Sequence, residues 1–140
     1  MASSERVAAS LRDAIARLNR RLRQTRPLGE LTQSQLSALT SLDLAGALTP
    51  RELAEAERVQ PPTMTRIVSK LEERGLVQRI PHPTDGRQAI LSPTGSGRSV
   101  LAVNRRARDA WLGGEIAALS QEERETLRRA AEIVDRISRA

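Results

Sequence analysis

The chain has 140 residues, 39% of them hydrophobic and 29% charged, a balance that suits one globular domain or a compact lobe with an oligomerisation segment. Its formal net charge of +6 and sequence pI of about 11.4 point to a polyanionic partner, nucleic acid first and an anionic membrane second. There is no cysteine, one histidine and no tyrosine, which excludes disulfides, thiol chemistry and thiolate metal sites and leaves acid–base catalysis poorly supplied, so no enzyme activity, cofactor or metal is expected.

No uncharged run approaches the roughly 20 apolar residues that cross a bilayer. Met1 to Arg12 has no apolar signal-peptide core, so a cytoplasmic protein is expected. Lys70 is the only lysine, and the positive charge is almost all arginine. Arginine forms bidentate contacts to phosphate and guanine better than lysine does.

In chain order, Ser4 to Gln24 places Val7, Leu11, Ile15, Leu18 and Leu22 at steps of three and four, which predicts an amphipathic helix with an arginine-rich outer face. Pro27 and Gly29 are expected to end it. Thr32–Gln35, Thr49–Glu52 and Ser120–Glu123 each have the Ser/Thr-x-x-Glu/Gln form of a capping box ahead of an apolar period. They open a helix closing near Gly46, a short helix through Leu53 and Ala56 with Pro50 at its first position, and the last helix.

After Arg58-Val59-Gln60-Pro61-Pro62 a helix is predicted from Pro62 to Arg74, on the reasoning that one proline fits a first turn but two do not fit a helix interior. Met64, Ile67, Val68 and Leu71 face inward and Gly75 stops it. Leu76 to Ile80 reads as a strand and Gln88 to Ser92 as its return, joined through Asp85-Gly86, a strong hairpin-turn pair. Thr94 to Ala118 is helical again, with Gly113-Gly114 expected to kink or loosen it. The predicted fold is mainly α with a small β-hairpin wing.

A short helix, a tight turn, a second helix and a hairpin make a winged helix-turn-helix. Its second helix is sized for a major groove. The candidate contacts on that helix are Gln60, Pro61, Pro62, Thr63, Thr65 and Arg66 at its start, with Lys70 and Arg74 further along. Gln and Arg can make bidentate base contacts, Thr offers a hydroxyl or a methyl, and a helix N-terminus favours phosphate. The bland alternative is a solvated helix face, and placement between a capped short helix and a wing weighs against it. The wing carries Arg79, His82, Asp85 and Arg87. A wing-tip arginine suits a narrow minor groove. Asp85 would repel phosphate, so it is expected to bond backbone amides or an arginine and hold Arg87 in pose; the simpler reading is that Asp-Gly is only a good turn pair.

The run Val59-Gln60-Pro61-Pro62-Thr63-Met64-Thr65-Arg66-Ile67-Val68, then Leu71-Glu72-Glu73-Arg74-Gly75-Leu76-Val77, resembles the recognition helix of MarR-type regulators. Asp85-Gly86-Arg87, followed by Leu91, Thr94 and Gly97, resembles that family's wing. The resemblance covers essentially the whole chain. Two positions depart from it: Gln60 stands where a Ser-type cap is usual, and Pro93 where a leucine is usual, which could end the second wing strand early. The resemblance implies a homodimeric transcription regulator, commonly a repressor released by small aromatic or phenolic ligands. It also implies Arg87 in the minor groove and Thr63, Thr65 and Arg66 on the reading helix.

The apolar stripes of the terminal helices support a dimer independently, because residues 31–94 already make a complete small domain. Residues 1–30 and 95–140 are accordingly read as a helical dimerisation lobe, and 31–94 as the DNA-binding domain. Two chains carry twice +6, or +12. Two reading helices roughly 34 Å apart require a pseudo-palindromic duplex operator. For the ligand the residues say little: Trp111, the only aromatic, suits packing better than a ligand wall, while a small aromatic or anionic ligand held by an arginine between the first helix and the winged core stays open. The alternative function is a nucleoid-type architectural protein that coats DNA without sequence preference; a module used only for protein contacts ranks below it.

Overall fold

The computed structural model describes residues 3–25 and 31–140. In chain order it contains α1 (Ser4–Gln24), α2 (Gln33–Ala45), α3 (Pro50–Glu57), α4 (Pro61–Glu73), β1 (Val77–Pro81), β2 (Ala89–Pro93), α5 (Gly95–Ala117) and α6 (Gln121–Ser138). This is the mainly helical, hairpin-bearing architecture that the sequence predicts. Pro27 and Gly29, expected to end α1, lie outside the described residues.

All three capping boxes form. The amides of Gln35, Glu52 and Glu123 donate to the hydroxyls of Thr32, Thr49 and Ser120, and the acidic or amide side chain returns the bond to each cap amide at 2.9–3.2 Å. Each box supplies two acceptors to amides that have no partner inside the helix, which fixes where the helix starts.

The chain forms two compact units, with the division inside α5 between Arg106 and Ala107. The unit from α2 to the first part of α5 holds the core. Leu39 and Leu42 of α2, Leu53 of α3, Leu71 of α4 and Leu91 of β2 are fully buried, and Met64 and Val68 of α4 nearly so. Burying a side chain of this kind contributes about 1.5–3 kcal/mol, so this cluster is what holds α3 and α4 at a fixed angle to α2. The two strands pair antiparallel with Val77 opposite Pro93 and Arg79 opposite Leu91. Leu48, between α2 and α3, adds a bridge to Leu91 through reciprocal backbone bonds of 3.0 and 2.7 Å. That bridge ties the wing to the helical part.

Both α3 and α4 close with the same backbone arrangement. At the end of α4 the amides of Gly75 and Leu76 donate to the carbonyls of Glu72 and Leu71, with Gly75 at φ +71°. At the end of α3 the amides of Arg58 and Val59 donate to the carbonyls of Glu55 and Ala54, with Arg58 at φ 54° and ψ 45°. Glycine is the usual residue there because a Cβ crowds the following carbonyl in the left-handed conformation.

Several expectations change. Both Pro61 and Pro62 sit in the first turn of α4, so the helix begins one residue earlier than predicted. The first amides of a helix have no intrahelical acceptor, so two prolines in succession remove nothing the helix uses. Pro93 does not shorten the second wing strand: β2 includes it as its last, fully buried residue. α5 continues through Gly113 and Gly114 to Ala117. Gly97 is where α5 meets the start of β1. A Cβ built on it would lie 2.2 Å from the Leu76 carbonyl oxygen.

In the other unit, α1 and α6 contain no buried residue. Val7, Leu11, Ile15 and Leu18 of α1 are 37–53% exposed, and Leu127, Ile133 and Ile137 of α6 are 45–60% exposed. The guanidinium of Arg21 lies 5.3 Å from the centre of the Trp111 ring, a cation–π contact.

Candidate nucleic-acid interface

The turn between α3 and α4 is three residues, Arg58, Val59 and Gln60. Val59 packs against the core and anchors it. Gln60 is the N-cap of α4, but its side chain makes no capping bond. With Pro61 and Pro62 at the first two helical positions, Thr63 alone in that turn has an amide to offer. This N-terminus therefore offers a phosphate two fewer amide donors than a helix start usually does.

Met64, Val68 and Leu71 bury one face of α4. The opposite face exposes Pro61, Pro62, Thr65, Arg66, Ser69 and Lys70. Thr63 is half-buried rather than exposed, because it shares the side of the helix that leads to Ile67. The Thr65 hydroxyl donates to the Pro61 carbonyl at 3.0 Å. What Thr65 presents outward is then its methyl group and its oxygen lone pairs, not a donor. Ser69, which the sequence reading left out, stands four residues after Thr65 on the same face; helical periodicity alone was the signal for it. Arg74 caps the end of α4 and is exposed.

Most cations here face a carboxylate. Arg51 lies 3.5 Å from Glu55, and Lys70 lies 3.6 Å from Glu73. Arg79 of β1 grips Glu72 of α4 more tightly, with Nη2 at 3.0 Å and Nε at 3.1 Å from the two carboxylate oxygens. This pair joins helix to wing. Thr49, whose amide and hydroxyl both bond the Glu52 carboxyl, holds that group below its ordinary value.

The wing tip is not the two-residue turn that Asp85-Gly86 suggests. Gly86 has no positive φ, so the mirror-image turn that such pairs usually form is absent. The tip is instead organised by two side chains. His82 Nδ1 accepts from the amides of Thr84 and Asp85 at 3.2 and 3.1 Å, which leaves the neutral ring its proton on Nε2. Asp85 Oδ1 accepts from the Arg87 amide at 3.1 Å, its Oδ2 accepts from Gln88 Nε2 at 3.4 Å, and Arg87 Nε lies 3.7 Å from Oδ1. Asp85 thus makes both kinds of contact expected of it, to a backbone amide and to an arginine. The Arg87 side chain is still 95% exposed. His82 is half-buried and acts as a brace for the loop.

A cleft of about 710 Å³ lies among α3, α4 and β1, walled by Pro50, Pro61, Met64 and Val68 with Arg51, Thr65 and Arg79 at its rim. Among the described residues no cluster of His, Asp and Glu could hold a metal ion, and no helix is long and apolar enough to cross a membrane.

Residues 31–89 match the model of the MarR family. An HTH-type transcriptional regulator of Mycobacterium bovis, Mb0904, is 46% identical over 132 residues, covering 94% of this chain and 92% of the relative. A crystal structure of a putative transcriptional regulator from Pseudomonas aeruginosa superposes with a TM-score of 0.86 at 32% identity, covering 100% of this chain and 99% of that one. A mutant of S. aureus MepR bound to an oligodeoxyribonucleotide shares the fold, with a TM-score of 0.69 at 22% identity over 94% of this chain and 96% of that one. The winged helix-turn-helix, its MarR-type sequence and these relatives agree: the chain belongs to the MarR family of DNA-binding transcriptional regulators and is not an enzyme.

Proposed function

We propose that the chain is a sequence-specific, homodimeric, cytoplasmic repressor. It places α4 of each protomer in the major groove of a pseudo-palindromic operator and Arg87 in the flanking minor groove. The observation that carries this reading is the composition of the exposed α4 face. Arg66, with no carboxylate partner among the described residues, stands beside the Thr65 methyl and Ser69, groups that distinguish base edges rather than merely supply charge. A protein that coats DNA without preference needs charge there and nothing else.

Dimerisation is supported by α1 and α6. Neither helix contains a buried residue, and the apolar stripe of each is left roughly half exposed within one chain, so packing contributes less to these helices than to the core. A second copy would cover both apolar stripes. The cleft beside α4 offers an apolar wall and a cationic rim, which suits a small aromatic anion; a molecule there would lie against Thr65 and oppose docking of the helix.

The test is selection of duplexes from a random pool by the purified protein at about 150 mM salt, followed by competition with unrelated DNA. A regulator enriches a two-fold symmetric sequence and prefers it by roughly 10³-fold or more. Equal binding to all duplexes would establish the architectural alternative. Sedimentation at micromolar concentration should give twice the 15.4 kDa chain mass; a monomer would refute the dimer.

A further inference from the structure

We infer that Arg58, in the turn of the helix-turn-helix, is a DNA-backbone contact that grips a phosphate beside the start of α4. Three residues among those described adopt a positive φ: Gly46, Gly75 and Arg58. The end of α3 closes through the same pair of backbone bonds as the end of α4, yet α4 uses glycine at the left-handed position and α3 uses arginine. A backbone conformation that disfavours any side chain is thus occupied by the longest cationic one. Within the protein it gains nothing evident from this. Arg58 is exposed, and no carboxylate among the described residues pairs with it, whereas Arg51, Lys70, Arg79 and Arg87 each have one.

Its position supplies the reason. Pro61 and Pro62 remove two of the amides with which the start of a recognition helix ordinarily holds a phosphate. Arg58 lies two residues before the N-cap, on a turn fixed by its own backbone bonds and by the burial of Val59. A guanidinium there replaces the missing amide donors with a bidentate, charge-assisted contact. Such a contact sets the register of α4 on the duplex without reading sequence.

The inference rests on α4 being the DNA-docking helix, and the test separates the two. Binding is measured for the wild type, R58G and R58K on a duplex of about 30 base pairs selected by the wild type, and on a random duplex of the same length, across a salt series. One contact per protomer should make the log–log salt slope of R58G shallower by roughly two for the dimer, and weaken binding by about thirtyfold near 150 mM salt, on both duplexes. R58K should keep the wild-type salt slope, because a lysine keeps the charge, and lose less affinity than R58G, because it gives up only the two-toothed geometry of the contact. R58G should also melt a few degrees higher, since glycine relieves the backbone. Unchanged affinity, an affinity loss with an unchanged slope, an equal loss in R58K, or a lower melting temperature in R58G would each overturn the assignment. Failure of the regulator reading would show differently, as a wild type that enriches no sequence, and the random duplex would still report on Arg58.

Discussion

Gly97→Ala is the substitution whose cost follows most directly from the geometry. An added Cβ would stand 2.2 Å from the Leu76 carbonyl oxygen, 3.2 Å from its carbon and 3.3 Å from Leu39 Cδ1. The obstacle is backbone, so no rotamer change relieves it, and α5 would have to withdraw by about 1 Å to reach ordinary contact. That withdrawal acts on the bonds that seat α5: the Thr94 amide to the Leu76 carbonyl at 3.0 Å, and the Thr94 hydroxyl to the Gly75 carbonyl at 2.6 Å. Overpacking costs about 1–3 kcal/mol, each bond lost about 1 kcal/mol more, and better helix propensity returns about 1 kcal/mol. The net expectation is a destabilisation of about 2–3 kcal/mol, a fall in Tm of roughly 10 °C or more for a domain of this size. Thermal and urea unfolding by circular dichroism at fixed protein concentration would read it. Gly113→Ala is the control: it lies in the same helix, meets nothing within 4 Å, and should be neutral or stabilise by up to about 1 kcal/mol. A Gly97→Ala variant as stable as wild type would refute the reasoning.

Arg87→Ala should weaken binding to every duplex alike and make the salt slope shallower by about one contact per protomer; an unchanged slope would remove the wing from the interface. Arg66→Ala should instead relax preference at one defined position of each half-site, at about 1–3 kcal/mol, read by competition among single-base operator variants. A uniform loss over all variants would assign Arg66 to the backbone. Arg79→Ala should lower Tm while leaving the salt slope as it is, because its grip on Glu72 joins wing to helix; a slope change equal to that of Arg87→Ala would show that Arg79 leaves Glu72 for phosphate.

The helix starts were legible because their chemistry is local. Thr32, Thr49 and Ser120 need only a residue three positions on to complete a capping box, and all three did. The start of α4 was misplaced by one residue because two adjacent prolines look like a break, when neither amide was needed. The wing tip was legible as a hairpin but not in its form. The Asp-Gly pair signals a mirror-image turn, and the bonds that replace it come from His82, whose role as a double acceptor depends on the tip's three-dimensional path. Contacts between elements left no periodic trace: Glu72 and Arg79 are seven residues apart, across a helix end and a turn, and the left-handed backbone at Arg58 follows from how α3 closes rather than from the residue itself.

The cations on the DNA-binding unit differ in how readily they are available to phosphate, and residue counting hides this. An exposed ion pair contributes about 0–1 kcal/mol, so the 3.7 Å contact of Arg87 with Asp85 is broken at little cost, and Asp85 still holds the Arg87 amide when the side chain swings out. Lys70 with Glu73 at 3.6 Å is in the same position. Arg79 differs, because its two-toothed contact with the partly buried Glu72 is shorter and couples two elements. Breaking it would leave the partly buried Glu72 carboxylate without its arginine. The sequence groups Arg79 and Arg87 together as wing arginines; their partners divide them. Arg79 holds the wing against α4 and lines the adjacent cleft, and Arg87 is carried at the tip as the movable charge. On the proposed reading, DNA binding and wing geometry therefore rest on different arginines.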